Sequence, residues 1–177
     1  MTSSDDLMDA ALAVVGETGV SGLSWEQIDE RAGLAAGTTK SLYPTIDLLV
    51  EAMLVRLITL DGEAWLSTGT VLNPTSTREF ADRMAALTVS HVELIGGATR
   101  ARLALFLGQP QAMAQGQAAL LDVITVILDT IGVPDPATRS RHVADLVGGT
   151  ALHALTVRRD EPIDQAALAA AFWRLLR

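Results

Sequence analysis

The chain has no cysteine, a single lysine and a single tyrosine among its 177 residues, and aromatic residues make up only 4% of it. Without cysteine there can be no disulfide, no thiol nucleophile and no zinc–thiolate centre, and the absence fits a reducing compartment. β-branched alternation is almost missing, which argues against strands. The N-terminus, MTSSDDLMDAA, lacks the basic start of a secretory signal, so a cytoplasmic location is expected. The longest uncharged stretch, Leu103–Leu121, carries Gln109, Pro110, Gln111, Gln115 and Gln117, a poor membrane span, so no membrane partner is expected. No HExxH, no GxSxG and no phosphate-binding glycine loop occurs. The three histidines are His91, His142 and His153. The last two, although on one helical face, stand about 16 Å apart along it, too far to share a metal. The expectation is a non-enzyme with no catalytic residue, no metal and no cofactor.

What is present is Ala, Leu and Val in abundance, good material for an all-α fold. Thr2 to Ser4 can cap a first helix, with Asp5 and Asp6 against its positive end and Met8, Ala11, Leu12 and Val15 along one face. Ser24 and Gln27 form a capping-box pattern ahead of a second helix, Trp25 to Ala32. Gly33 is a turn, a short third helix runs from about Ala36 to Leu42, and Pro44 stops it. Thr45 caps a long fourth helix reaching about Leu66. Ser67 to Thr75 reads as a loop. Further helices are expected over Thr77–Ile95, Thr99–Gly108, Pro110–Ile131, Ala137–Arg159 and Ile163–Leu176, broken at Gly96-Gly97 and at Val133 to Pro136.

Helix, glycine turn, short helix is the helix-turn-helix pattern. The stretches LMDAALAVVGETG and LSWEQIDERAGLAAGTTKSLYPTIDLL, spanning Leu7 to Leu49, resemble the N-terminal domain of the TetR family of transcriptional regulators. The shared features are the AA of the first helix, I-x-x-x-AG-hydrophobic, G-T-T, an aromatic, and a capped helix opening with D-LL. The resemblance implies an all-α homodimer. A helix-turn-helix DNA-binding domain would occupy 1–46, and a larger effector-binding and dimerisation domain 47–177. The third helix would enter the major groove of double-stranded operator DNA, with a small-molecule effector controlling the spacing of the two heads. Candidate residues of the DNA-binding site are Ser24, Gly37, Thr38, Thr39, Lys40, Ser41 and Tyr43; the first six supply backbone N–H groups, short donors and one cation. Tyr43 stands at the family's buried aromatic position, under the third helix.

Four residues or features depart from that pattern. The first 50 residues hold eight acids against Arg31 and Lys40, a net of −6, and the whole chain carries −8. Such a head has few cations with which to displace counterions. Asp29 stands where two helices should touch and a small apolar residue is usual. Burying its carboxylate is costly unless Arg31 or a backbone group compensates, or unless the helices sit further apart. Ala35 replaces a frequent serine cap, and Ile46 a frequent basic residue.

In the larger part Val143, Leu146, Val147, Thr150, Ala151, Ala154 and Leu155 form a long apolar stripe beside Gly148 and Gly149. The last helix shows Leu168, Ala171, Phe172, Leu175 and Leu176 on one face. Two such helices per subunit match the family's four-helix dimer interface, and the expected contacts are Val143, Leu146, Val147, Gly149, Thr150, Ala154, Phe172 and Leu175. An effector pocket is expected among Met84, Leu87, Thr88 and His91, with Trp65, Phe106 and Met113 lining the same space. Its apolar character favours a hydrophobic or amphipathic effector. The resulting expectation is a cytoplasmic repressor that binds a palindromic operator as a dimer and is released by a mostly apolar small molecule. The alternative is a helical dimer of the same fold, with weak or lost DNA binding, that acts as a ligand- or protein-binding module.

Overall fold

The computed structural model describes residues 4–67 and 73–177, and among them the fold is all-α. The helices are α1 (Ser4–Thr18), α2 (Trp25–Ala32), α3 (Thr38–Leu42), α4 (Ile46–Ser67), α5 (Thr77–Glu93), α6 (Gly96–Gly108), α7 (Pro110–Thr130), α8 (Pro136–Leu155) and α9 (Gln165–Leu175), with a single 3₁₀ turn at Val20–Gly22. The cap expected at Thr2 and Ser3, and most of the loop expected over 67–75, lie outside the described residues. Gly96 and Gly97, expected as a break, open α6 instead. Glycine at a helix start costs little, because the first turn makes no intrahelical N–H bonds.

Two compact units form. The first comprises Met1–Gly62 and Gly97–Ala114, and the second Glu63–Gly96 and Gln115–Arg177. This division differs from the one expected at 46/47. Leu49, Val50, Met53 and Leu57 of α4 are buried with Leu7, Leu12 and Val15 of α1, Ile28 of α2 and Leu105 of α6, so most of α4 belongs with the first core. Gly16 of α1 lets α6 come close: a Cβ there would lie 3.0 Å from the Gly97 carbonyl oxygen.

In the second unit α5 packs against α9 and α8. Its core contains Phe80, Met84, Leu87, Ile124, Leu128, Val143, Leu168, Phe172 and Leu176. The Thr125 hydroxyl donates to Ser140 Oγ over 2.9 Å and Ser140 to the Ala137 carbonyl, a polar tie between α7 and α8. By length and composition α7 can cross a membrane, with 17% of that stretch buried. It leaves Leu120, Val123 and Val126 exposed.

Candidate nucleic-acid interface

A five-residue helix does not hold its shape alone, because nucleation outweighs so few hydrogen bonds. α3 is held at both ends by side chains of α2. At its start Gly33 (φ 65°) and Gly37 (φ 86°) take the left-handed conformation that turns the chain between the two helices. The turn brings Asp29 of α2 under the first residues of α3. Asp29 Oδ2 accepts from the Gly37 N–H over 2.7 Å. Its Oδ1 accepts from the Thr39 N–H over 2.8 Å and from the Thr39 hydroxyl over 2.6 Å. Asp29 is 2% exposed and Thr39 is wholly buried. Burial alone would raise the Asp29 pKa. The hydrogen bonds from Thr39, Gly37 and Thr38 outweigh it and hold the carboxyl below its ordinary value.

Two of the departures noted in the sequence therefore answer each other. Ala35 provides no cap, and Asp29 caps α3 from the neighbouring helix, with its negative charge at the helix's positive end. Of the open alternatives for Asp29, the backbone groups of α3 compensate it. Arg31 points elsewhere, to Glu17, through a two-pronged pair at 2.7 and 2.5 Å. That pair lowers the Glu17 pKa, chiefly through the Arg31 hydrogen bond.

At the other end the Trp25 indole N–H donates to the Tyr43 carbonyl over 2.8 Å, joining the first residue of α2 to the end of α3. The Lys40 ammonium lies 5.6 Å from the Trp25 ring centroid, within cation–π range. Trp25 was read in the sequence only as a helix start. Its spacing to Lys40 holds no helical signal, since the two residues meet across a turn.

The candidate DNA contacts accordingly separate. Gly37, Lys40 and Ser41 are exposed and Thr38 is half-buried, its hydroxyl donating to the Ala35 carbonyl. Ser24 Oγ accepts from the Gln27 N–H as the α2 cap. Tyr43 is half-buried and packs against the first core. Thr39 is corrected: its hydroxyl and N–H are both taken by Asp29, and it offers nothing to a duplex. The N–H of Gly37 is occupied in the same way, so the start of α3 presents a screened carboxylate where phosphate-binding amides were expected.

The head's charge is also rearranged by the fold. Arg56 of α4 donates to both carboxylate oxygens of Asp9, at 2.7 and 2.9 Å, and lies 3.6 Å from Asp5. Among the described residues no carboxylate pairs with Lys40, whereas Arg31 and Arg56 both face acids.

The expected effector residues also divide. Met84 and Leu87 are core residues of the second unit, with Trp65 packed against that core. Thr88 and His91 are buried there too; the Thr88 hydroxyl donates to the Met84 carbonyl over 2.7 Å, and His91 Nδ1 lies 2.8 Å from the Leu87 carbonyl. Met113 is in the core of the first unit, to which Phe106 also belongs.

Three expected interface residues need correction. Val143 and Phe172 are wholly buried and Ala154 is 8% exposed within the single protomer. A stripe at i, i+3, i+4 and i+7 is what a helix offers its own core as well as a partner, and in this protomer it faces inward. Leu146, Val147 and Leu175 lean half-buried on the same core, Thr150 is half-buried, and Gly149 is exposed.

No protein-family profile matches the sequence, and no curated protein does either. Solved structures match over nearly the full length. A TetR-family member from Streptomyces coelicolor A3 superimposes with a TM-score of 0.76 at 20% identity, covering 97% of this chain and 96% of its own. A transcriptional regulator from Rhodococcus sp. Rha1 gives 0.74 at 20% identity, over 99% and 94%. The regulator FadR from Bacillus subtilis, in complex with stearoyl-CoA, gives 0.66 at 17% identity, over 97% and 96%. The chain has the all-α fold of TetR-family transcriptional regulators.

Proposed function

We propose that this chain is a one-component transcriptional regulator, a repressor that binds a palindromic operator as a homodimer through α2 and α3. The observation that carries the reading is α3 itself. It is fastened at both ends by α2 and exposes Lys40 and Ser41, a cation with no carboxylate partner among the described residues beside a hydroxyl donor. The likeness in fold to regulators supports it. Release by a small, mostly apolar effector is part of the same proposal. It draws on the apolar surroundings of Met84 and Leu87 and on the acyl ligand of FadR.

The test is a fluorescence anisotropy titration of the purified protein against its own upstream duplex and a scrambled duplex, across a salt series. A shift confined to the upstream duplex is expected. Lys40→Ala should weaken it and lower the salt slope by about one unit, as loss of one phosphate contact requires. Unchanged affinity and slope would remove Lys40 from the interface.

A second reading, a dimeric ligand- or protein-binding module with a disabled head, is favoured by one observation. Arg31 is tied to Glu17 and Arg56 to Asp9, so both cations are engaged by acids of the head, whose first 50 residues carry a net of −6. Absence of binding to every duplex at low salt would favour it.

The dimer is tested separately. A Cβ at Gly149 would meet open space within the protomer. Gly149→Phe should leave the helical circular dichroism intact while shifting sedimentation from dimer to monomer. A sedimentation profile unchanged by the bulky side chain would exclude this face of α8 as the interface.

A further inference from the structure

The inference concerns how α3 reads sequence, and it rests on the DNA-binding reading above. Three groups on α3 are spent inside the protein: the Gly37 and Thr39 amides and the Thr39 hydroxyl on Asp29. The Thr38 hydroxyl donates to the Ala35 carbonyl. With Thr39 turned inward, successive residues swing about 100° round the helix. Lys40 falls on the flank beside Trp25, Ser41 points away from the Asp29–Thr39 junction, and Leu42 lies on the other flank in the row of Thr38. Leu42 is 60% exposed. Lys40, Ser41 and Leu42 are what the helix has left to offer.

Each has a different use in a major groove. The Lys40 ammonium stands at the edge, suited to a phosphate. Ser41 can donate or accept at any base edge and so discriminates weakly. Leu42 is the exception. The thymine 5-methyl is the one apolar substituent that base pairs display in the major groove; the other groups that distinguish the bases there are hydrogen-bond donors or acceptors, apart from the small C5–H of cytosine. An isobutyl group against such an edge displaces water and leaves the polar atom unpaired, which is unfavourable. Against the methyl it buries apolar surface on both sides.

We propose that Leu42 is the specificity-determining residue of this head and reads the 5-methyl of a thymine in each operator half-site. The operator is then selected by apolar contact, with Lys40 setting the register. An acidic head suits this mode, because apolar contact needs no cation and releases no counterion.

The probe is a duplex enriched by the full-length protein from a pool with a random central segment. Each half-site thymine is then replaced by uracil, which removes the methyl and keeps the pairing. One symmetric position should respond, with affinity falling about fourfold for one half-site and about fifteenfold for both, the worth of a buried methyl taken once and twice. Leu42→Ala should bind the thymine duplex as weakly as the unmutated protein binds the uracil duplex, and should not distinguish thymine from uracil. The uracil comparison needs no protein variant, so it stands even if Leu42→Ala folds poorly. Three results would overturn the assignment while leaving DNA binding intact: an enriched half-site without thymine, indifference to every uracil, or a uracil effect undiminished in Leu42→Ala. Failure to enrich any duplex overturns both this inference and the function it rests on.

Discussion

Replacing Asp29 by alanine is expected to destabilise the first unit by about 3 kcal/mol, since it leaves two amides and a hydroxyl without their acceptor in a buried junction. For a unit of this size the melting temperature should fall on the order of 10 °C or more. Asp29→Asn should fall between the two proteins. One amide oxygen can still accept, but the new NH₂ must then face an N–H donor. Alanine is small and apolar, the residue type usual at this contact in helix-turn-helix units, so volume is not the difficulty; the loss comes from the polar partners on α3. The acid side supplies an independent check. The folded pKa of Asp29 is depressed, so its contribution is fully present above the unfolded value, about 3.9, and is lost as pH falls through the lower folded value. Thermal melts from pH 7 to pH 2 should therefore show an added loss below about pH 4 that Asp29→Ala lacks. Identical melts for the two proteins at pH 7 would mean that water replaces the carboxylate without cost and that α3 is held from its Trp25 end alone.

Phe172→Ala is expected to cost the second unit about 3–5 kcal/mol, the usual range for emptying a buried aromatic site. The ring is wholly buried on α9 among core residues that include Phe80, Leu128 and Val143. This variant also separates two roles for the residue. A side chain that holds the protomer's own core lowers the melting temperature equally at every protein concentration. One that serves only an interface lowers it by an amount that varies with protein concentration, because dimerisation stabilises by mass action. Burial within the single protomer predicts the concentration-independent loss. Melts measured over a hundredfold concentration range decide between them, and a deficit that vanishes upon dilution would return Phe172 to the interface.

Much of the fold was legible because helix signals are local. Ser24 with Gln27 marked the start of α2, and Gly33 its end in the left-handed conformation, at the residues where the structure has them. Thr45 precedes α4 and its hydroxyl accepts from the Leu48 N–H. The face Met8, Ala11, Leu12, Val15 is buried as its spacing foretold, whereas Leu168, Phe172 and Leu176, expected at an interface, are buried in the protomer's own core. Less of the site could be read. Thr39 and Lys40 are adjacent and both polar, and nothing in GTTKSL distinguishes the one that turns to Asp29 from the one that turns to solvent. The same holds for the apolar stripe of α8, whose period is equally suited to its own core and to a partner.

By itself the sequence determined the order of the helices, the cap and glycine stop of α2, the glycine turn between α2 and α3, and the excess of acid over base in the head. Each follows from side chains interacting within a turn or two of their own backbone, or from simple counting. Only the tertiary structure decided that Asp29 and Ala35, two separate anomalies along the chain, form one solution: a carboxylate on α2 supplies the cap that α3 lacks. It likewise decided that Trp25 lies beneath Lys40, that Arg31 and Arg56 are spent on Glu17 and Asp9, and that Val143 and Phe172 face inward. These are meetings between residues 8 to 47 positions apart or between separate helices. Their energies depend on distance and burial in space, quantities that helical periodicity does not encode.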